Sequence, residues 1–149
     1  MSPLGVAVTV LGILVLVTAV NLVVWLPIVK KLQRMPAELV RDLEASGETI
    51  VRAPERGAYR GATAIYGVVK GVGVVALTDK RLVFRKAVGN EVAVPRAEIV
   101  GVRTAKWFMR SRAGGQEHVI VTTASGAEVG FFFVDRAAWV AALSPALTR

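Results

Sequence analysis

The sequence predicts a transmembrane α-helix followed by a small, mainly-β domain, a barrel or sandwich closed by a C-terminal α-helix. Three observations predict it. Residues 3–29 contain no charged side chain, and Lys30, Lys31 and Arg34 follow at once. From Glu48 onward the chain breaks into short alternating apolar runs punctuated by glycine. Asp135 then opens a stretch in which Trp139, Val140 and Leu143 fall along one side of a helix.

As a helix the uncharged run is about 40 Å long at about 1.5 Å per residue, and a bilayer core needs only about 20 apolar residues. A cleaved secretory signal has a basic n-region, a shorter apolar core and a small-residue cleavage site. Met1 and Ser2 are not basic, and no Ala-x-Ala ends the run. Residues 1–29 are therefore expected to be an uncleaved anchor. Basic residues flank only its C-terminal end, which predicts a single-pass cell-membrane protein with its N-terminus outside and its domain in the cytoplasm. Trp25 lies near that flank, where an indole suits the interface. Asn21 reads as an isolated amide tolerated by a long apolar helix. The small residues Gly5, Thr9 and Gly12 do not by themselves define a dimer.

After the anchor, roughly 100 residues remain of the 149, enough for one core. Cysteine is absent. That removes thiol catalysis, thiolate metal sites and disulfides together, and it fits a reducing compartment. The net charge is +8, and the 15 basic against 8 acidic side chains of residues 47–149 leave +7 in the globular part. Beside an anionic leaflet such a domain is attracted by roughly 1 kcal/mol per basic residue near the surface. The expected partners are the membrane itself, with its anionic headgroups, and a protein or second copy held there; no nucleic acid is expected.

Residues 30–47 read as a connector. Met35, Leu39 and Leu43 recur every fourth residue, and Glu38, Arg41, Asp42 and Glu44 fall elsewhere, so an amphipathic helix is predicted that docks its apolar edge on the domain or on a second copy. Pro36 suits its first turn and Gly47 its end. Residues 48–149 form the domain. Extended segments are expected at Thr49–Arg52, Ile65–Val69, Gly73–Thr78, Arg81–Arg85, Glu91–Val94, Ile99–Lys106, Glu117–Thr123 and Ala127–Val134. Turns are expected at Asp79-Lys80, Gly89-Asn90, Pro95–Glu98, Ala113–Gly115 and Ala124–Gly126. In Arg81–Arg85, Leu82 and Phe84 point one way and Arg81, Val83 and Arg85 the other. Asp135 caps the last helix and Ser144-Pro145 stops it.

The hairpin Gly73-Val-Val-Ala-Leu-Thr-Asp-Lys-Arg-Leu-Val-Phe84 resembles the signature of GRAM and bacterial pleckstrin-homology-like domains. The rest falls in the same order: a strand ending in Val94-Pro95, then Glu98-Ile-Val-Gly-Val102, a further strand, the Ser125-Gly126 turn, a Phe-rich strand, and Asp135–Leu143 with Trp139. The resemblance covers about residues 48–144. It implies two packed antiparallel sheets with a C-terminal helix closing one end, and Trp139 as that helix's plug. Eukaryotic relatives often bind phosphoinositides through basic residues of an early strand–loop–strand. Here that region holds Arg52, Arg56, Arg60 and Lys70, without the tight basic pattern of the lipid-binding versions.

Signs of catalysis or of a cofactor are weak. Gly71-x-Gly73-x-x-Ala76 matches a dinucleotide fingerprint in letters only, because it leads into a hairpin and not into a helix N-terminus. No cofactor is expected. His118, the single histidine, has no second ligand at metal spacing and reads as a sheet-surface or edge residue. Ser46, Ser125 and Ser144 read as helix ends or a turn, Glu91 and Glu98 as flanking a turn, and Glu117 and Glu128 as solvated on the outer face of their strands. The expectation is a binding or scaffolding module and not an enzyme.

One segment breaks the alternation. Lys106-Trp107-Phe108-Met109-Arg110-Ser111-Arg112 places three large apolar residues together between basic ones. It is either a tip that meets lipid or a partner, or a strand continuing past Lys106 with Trp107 and Met109 on one face and Phe108 on the other. The candidate membrane- or partner-binding set is Arg81, Arg85, Lys86, Arg103, Lys106, Trp107, Phe108, Arg110 and Arg112.

Overall fold

A computed structural model describes residues 2–112 and 114–144. One α-helix, α1 (Pro3–Ala45), runs unbroken for 43 residues, so the expected anchor and connector are continuous. The Ser2 hydroxyl accepts a hydrogen bond from the Gly5 amide at 3.2 Å, an N-cap that satisfies one otherwise free donor. Pro27 and Pro36 lie inside the helix, and each removes one backbone donor without ending it. Gly47, at φ 76°, turns the chain out of α1 as a left-handed residue should. The apolar N-terminal part of α1 is long enough to cross a membrane, and none of it is buried by the domain.

Nine strands follow: β1 (Ile50–Ala62), β2 (Gly71–Thr78), β3 (Arg81–Lys86), β4 (Val92–Pro95), β5 (Ile99–Ala105), β6 (Trp107–Phe108), β7 (Ser111–Arg112), β8 (His118–Thr123) and β9 (Glu128–Phe133). Helix α2 (Arg136–Leu143) ends the described chain. Asp135 caps α2 by accepting from the Ala138 amide at 3.1 Å. The Pro145 stop and Ala113 of the expected glycine loop lie outside the described residues.

Seven strands make one antiparallel sheet in the order β4-β3-β2-β1-β9-β8-β5, and β6 and β7 pair separately. The expected two sheets are thus one continuous sheet that is not closed, since β4 and β5 are its unpaired edges among the described residues. It curls on itself, because residues of β3 and β4 (Phe84, Val94) share a core with those of β8 and β9 (Val119, Val121, Phe131). Tyr59, Phe84 and Phe131 meet at its centre with ring centroids 5.8–5.9 Å apart.

The β1 strand is longer than expected, and Ile65–Val69 is a 3₁₀ turn (Ala64–Tyr66) and loop instead of a strand. Register shifts between Ile50 and Arg52, Arg52 and Glu55, and Tyr59 and Gly61 break the alternation that would reveal β1. Gly57 reads as a breaker yet is required there: a Cβ would stand 2.8 Å from the Phe132 carbonyl oxygen.

Both faces of the β2–β3 hairpin are buried. Val75, Leu77, Leu82 and Phe84 face the inner core. Val74, Ala76, Val83 and Ala87 face outward and are covered by Met35, Leu39 and Leu43 of α1, with Ile28, Leu32 and Ile50 packed beside them. The four-residue spacing of the connector therefore docks on the chain's own sheet. At the far end Trp139 is fully buried, stacks on Phe133 with centroids 4.6 Å apart, and donates its indole N–H to Glu55. The Arg52 guanidinium lies 5.0 Å over the same indole and pairs with Glu55 at 3.1 Å.

Leu39 is the centre of the helix–sheet seam and is fully buried. Leu39→Ala is expected to cost about 2–5 kcal/mol, as buried leucine truncations do. Thermal unfolding of the full chain in detergent checks this; an unchanged midpoint would mean that the seam contributes nothing to the fold.

Candidate interaction site

The nine candidate residues do not form one face. Alternation in β3 puts Arg81 and Arg85 outside with Val83, and Lys86 inside with Leu82 and Phe84. Lys86 is buried; its ammonium donates to the Val69 carbonyl at 2.8 Å and lies 4.5 Å over the Tyr59 ring. Burial pushes its pKa below the ordinary lysine value. Sharing β3 with the arginines hid this, although the period of two was readable.

Arg81 and Arg85 are bound to acids. Arg81 pairs with Glu48 at 2.9 Å and with Glu91 at 3.5 Å, and Arg85 with Asp42 at 2.7 Å and Glu91 at 2.9 Å. They fasten the C-terminal end of α1 and the segment after it to β3. Glu48 also accepts from the Thr78 hydroxyl at 2.7 Å. Hydrogen bonding from Arg81 holds its carboxyl below the ordinary value of 4.5, against the opposing effect of burial. Arg103 pairs with Glu128 at 2.9 Å.

Lys106, Trp107, Arg110 and Arg112 come together on the β6–β7 hairpin. All four are exposed, Trp107 at 61%, and among the described residues none has an acidic partner within 4.0 Å. The Arg112 guanidinium stands 5.9 Å from the Trp107 ring centroid. The turn is Met109-Arg110, with φ 47° and 60°. Two positive φ values match the twist of a two-residue hairpin, for which Asn-Gly is the usual choice. Met and Arg there cost on the order of 1 kcal/mol each. The hairpin thus holds a large apolar and a cationic side chain at its tip against local preference.

Phe108, the remaining candidate, is buried and pins the hairpin to the outer face of the sheet. Its ring lies over Gly130, where a Cβ would stand 2.5 Å from it, and 6.0 Å from the His118 ring. Arg60 adds a second tie, donating to the Ser111 hydroxyl at 2.6 Å with its guanidinium 4.7 Å over Phe132.

His118 is fully buried beneath this hairpin, which corrects its reading as a surface or edge residue. Its Nδ1 is 3.2 Å from the Ala105 carbonyl and so carries the proton, while Nε2 has no partner among the described residues. Burial lowers its pKa from the ordinary 6.5 more than the Ala105 hydrogen bond raises it.

An open depression of about 410 Å³ lies between Gly115–Glu117 and the start of α2. Its charged groups are already used: Arg136 pairs with Glu117 at 3.0 Å, and Asp135 caps α2.

No family model matches the chain, and no curated protein matches it. Among solved structures it is similar to the C-terminal domain of an unknown protein from Leishmania infantum, with a TM-score of 0.52 and 17% identity over 71% of this chain and 90% of that one. At that identity the likeness concerns the fold alone.

Two outcomes follow for the hairpin. Gly130→Ala drives a methyl group into the Phe108 ring and should lift the hairpin, so trypsin should cut at Arg110 and Arg112 faster than in wild type. Equal cleavage rates would show that Phe108 does not hold it. Below pH 6.5 the unfolded chain protonates His118 before the folded one does, so stability should fall as pH drops through that range. Below 4.5 Glu48 adds a second loss of the same sign. His118→Phe should flatten the first phase in urea titrations; an unchanged slope would place the proton uptake elsewhere.

Proposed function

We propose that the protein is a single-pass, membrane-anchored binding module of pleckstrin-homology-like or GRAM-like type, and not an enzyme. Its N-terminus lies outside and its domain sits on the cytoplasmic face of the cell membrane, where the β6–β7 hairpin meets anionic lipid. The observation that carries this reading is the hairpin itself: Lys106, Arg110 and Arg112 free of acids, beside an exposed Trp107, at a turn that spends local stability to present them. Cations near an anionic leaflet gain roughly 1 kcal/mol each, and an indole suits the headgroup layer. The basic flank at Lys30, Lys31 and Arg34 supports the orientation.

A second reading, a protein-interaction or self-assembly module without lipid binding, is favoured by the edges of β4 and β5, unpaired among the described residues, which offer backbone groups to another strand.

The full chain in nanodiscs separates the two. A fluorophore on Met109→Cys should shift to the blue in phosphatidylserine discs relative to phosphatidylcholine discs. The shift should shrink in roughly 1 M salt, where the Debye length falls to about 3 Å, and vanish in a Lys106→Ala, Arg110→Ala, Arg112→Ala background. The same emission in both lipids at every salt concentration would sink the lipid reading and leave the protein-interaction one.

A further inference from the structure

The seam between α1 and the sheet decides which end of the domain lies at the helix's exit from the bilayer. Helix residues Ile28 and Leu32 pack in the same cluster as Ala87, and the Lys31 ammonium donates to the Ala87 carbonyl. The end of β3 and the start of β2 therefore stand level with residues 28–32 of α1. The β2–β3 turn, by contrast, stands level with the end of α1, where the Thr49 amide donates to Asp79 at 2.9 Å. Since the uncharged run ends at Val29, the first of these ends lies at the height of the headgroup layer, about 5–7 Å thick on each side of the hydrocarbon.

The loops at that end are built inside out. In the β1–β2 loop three backbone carbonyls are held by side chains of the domain. The Tyr59 hydroxyl lies 2.9 Å from the Tyr66 carbonyl and 2.6 Å from that of Gly67, and the Lys86 ammonium holds the Val69 carbonyl. The side chains point out: Ile65 is 84% exposed, Val69 69%, and Val68 is also exposed. Val72 adjoins them, its carbonyl accepting from the Ala87 amide at 2.8 Å, and next to Ala87 comes Val88, 72% exposed. The hairpin tip continues the row, since the Val68 carbonyl and the Met109 sulfur both crowd Gly61. A loop facing water would turn its polar backbone outward; this one turns the Tyr66, Gly67 and Val69 carbonyls inward and exposes Ile65, Val68 and Val69, with Lys70 its one exposed charged side chain. No carboxylate occurs in residues 56–78 or 99–116. The acids that approach are engaged, Glu98 by the Tyr66 hydroxyl and Glu128 by Arg103.

We propose that this rim, the β1–β2 loop with Val72 and Val88, rests in the lipid interface of the same bilayer that α1 enters. The inference rests on the reading of α1 as a membrane span. It adds an apolar contact, made without lipid charge, to the charge-dependent one of the hairpin. An exposed apolar row that continues into a lipid-facing helix fits the lipid that covers that helix. Helix and rim together fix the domain's rotation as well as its distance.

The chain has no cysteine, so single labels are clean. Four variants of the full chain, Val68→Cys, Val88→Cys, Lys80→Cys and Val17→Cys, would each carry an environment-sensitive fluorophore in neutral phosphatidylcholine vesicles. Nitroxide lipids, labelled either near the headgroup or deep in the acyl chain, serve as quenchers. The labels at 68 and 88 should lose most of their emission to the shallow quencher at low and high salt alike. The label at 17 should respond to the deep one, and the label at 80, on the β2–β3 turn, to neither. Labels at 68 and 88 as bright as that at 80, with 17 quenched, would overturn the rim and leave the anchor standing. An unquenched label at 17 would remove the anchor and the rim with it. Blue-shifted but unquenched labels at 68 and 88, with a shift that fades as protein is diluted in lipid, would put a second copy on the rim and also overturn the proposal.

Discussion

Everything beyond the β domain depends on the seam that Met35, Leu39 and Leu43 make with the outer face of the β2–β3 hairpin. Burying a side chain of this size contributes about 1.5–3 kcal/mol. Three of them outweigh the freedom that a loose joint would offer, even when residual burial in the unfolded chain is discounted. A helix that merely tethered its domain would leave the domain free to tumble. This one carries the domain as a rigid outgrowth of its last turns, and Arg85–Asp42 and Arg81–Glu48 clamp the margin of the seam. Glu48 is nearly inaccessible and holds hydrogen bonds from Arg81 and Thr78, so this clamp is shielded from the screening that weakens exposed pairs.

The same charges explain how the basic composition divides. Arg81, Arg85 and Arg103 are taken up in pairs that join elements of the fold, and Lys86 is spent inside the sheet on a carbonyl and an aromatic ring. Of the candidate cations, those without an acidic partner among the described residues stand together on the short hairpin that continues β5, while Arg56, Lys70 and Lys80 are exposed and unpaired singly elsewhere on the domain. Counting charge along the chain treats all these residues alike; pairing in space separates those that build the domain from those left to act outside it.

What the sequence revealed was what is periodic. The β2–β3 hairpin, the Asp135 cap and the buried side of α2 obey local rules of two or of three and four, and the structure keeps them. The Met35–Leu39–Leu43 row was equally plain, but periodicity names a buried face and not its cover, so its docking on the chain's own sheet was open. The β1 strand escaped because its bulges erase the alternation and its glycines, required by the close Phe132 carbonyl and by the positive φ of Gly61, look like interruptions. His118 escaped for a related reason. Its burial comes from Phe108, which arrives from a separate hairpin, and no spacing near position 118 encodes that contact. The hairpin's composition was conspicuous, but its turn was not, because Met-Arg is the opposite of what a two-residue turn normally uses.

Coverage of the sheet narrows where recognition can happen. Its concave side is filled by Tyr59, Phe84 and Phe131 and stoppered by Phe133 against Trp139. Its convex side is covered twice, by α1 over β2 and β3 and by the β6–β7 hairpin over β9 and β8. Besides the open depression at the start of α2, whose charged groups are already engaged, the domain presents loop ends, a hairpin tip and strand edges. These last are thin, convex features that suit an extended surface or an added strand better than an enclosed molecule. A helix able to cross a membrane, docked beside the apolar loop ends, makes a bilayer the extended surface nearest to hand.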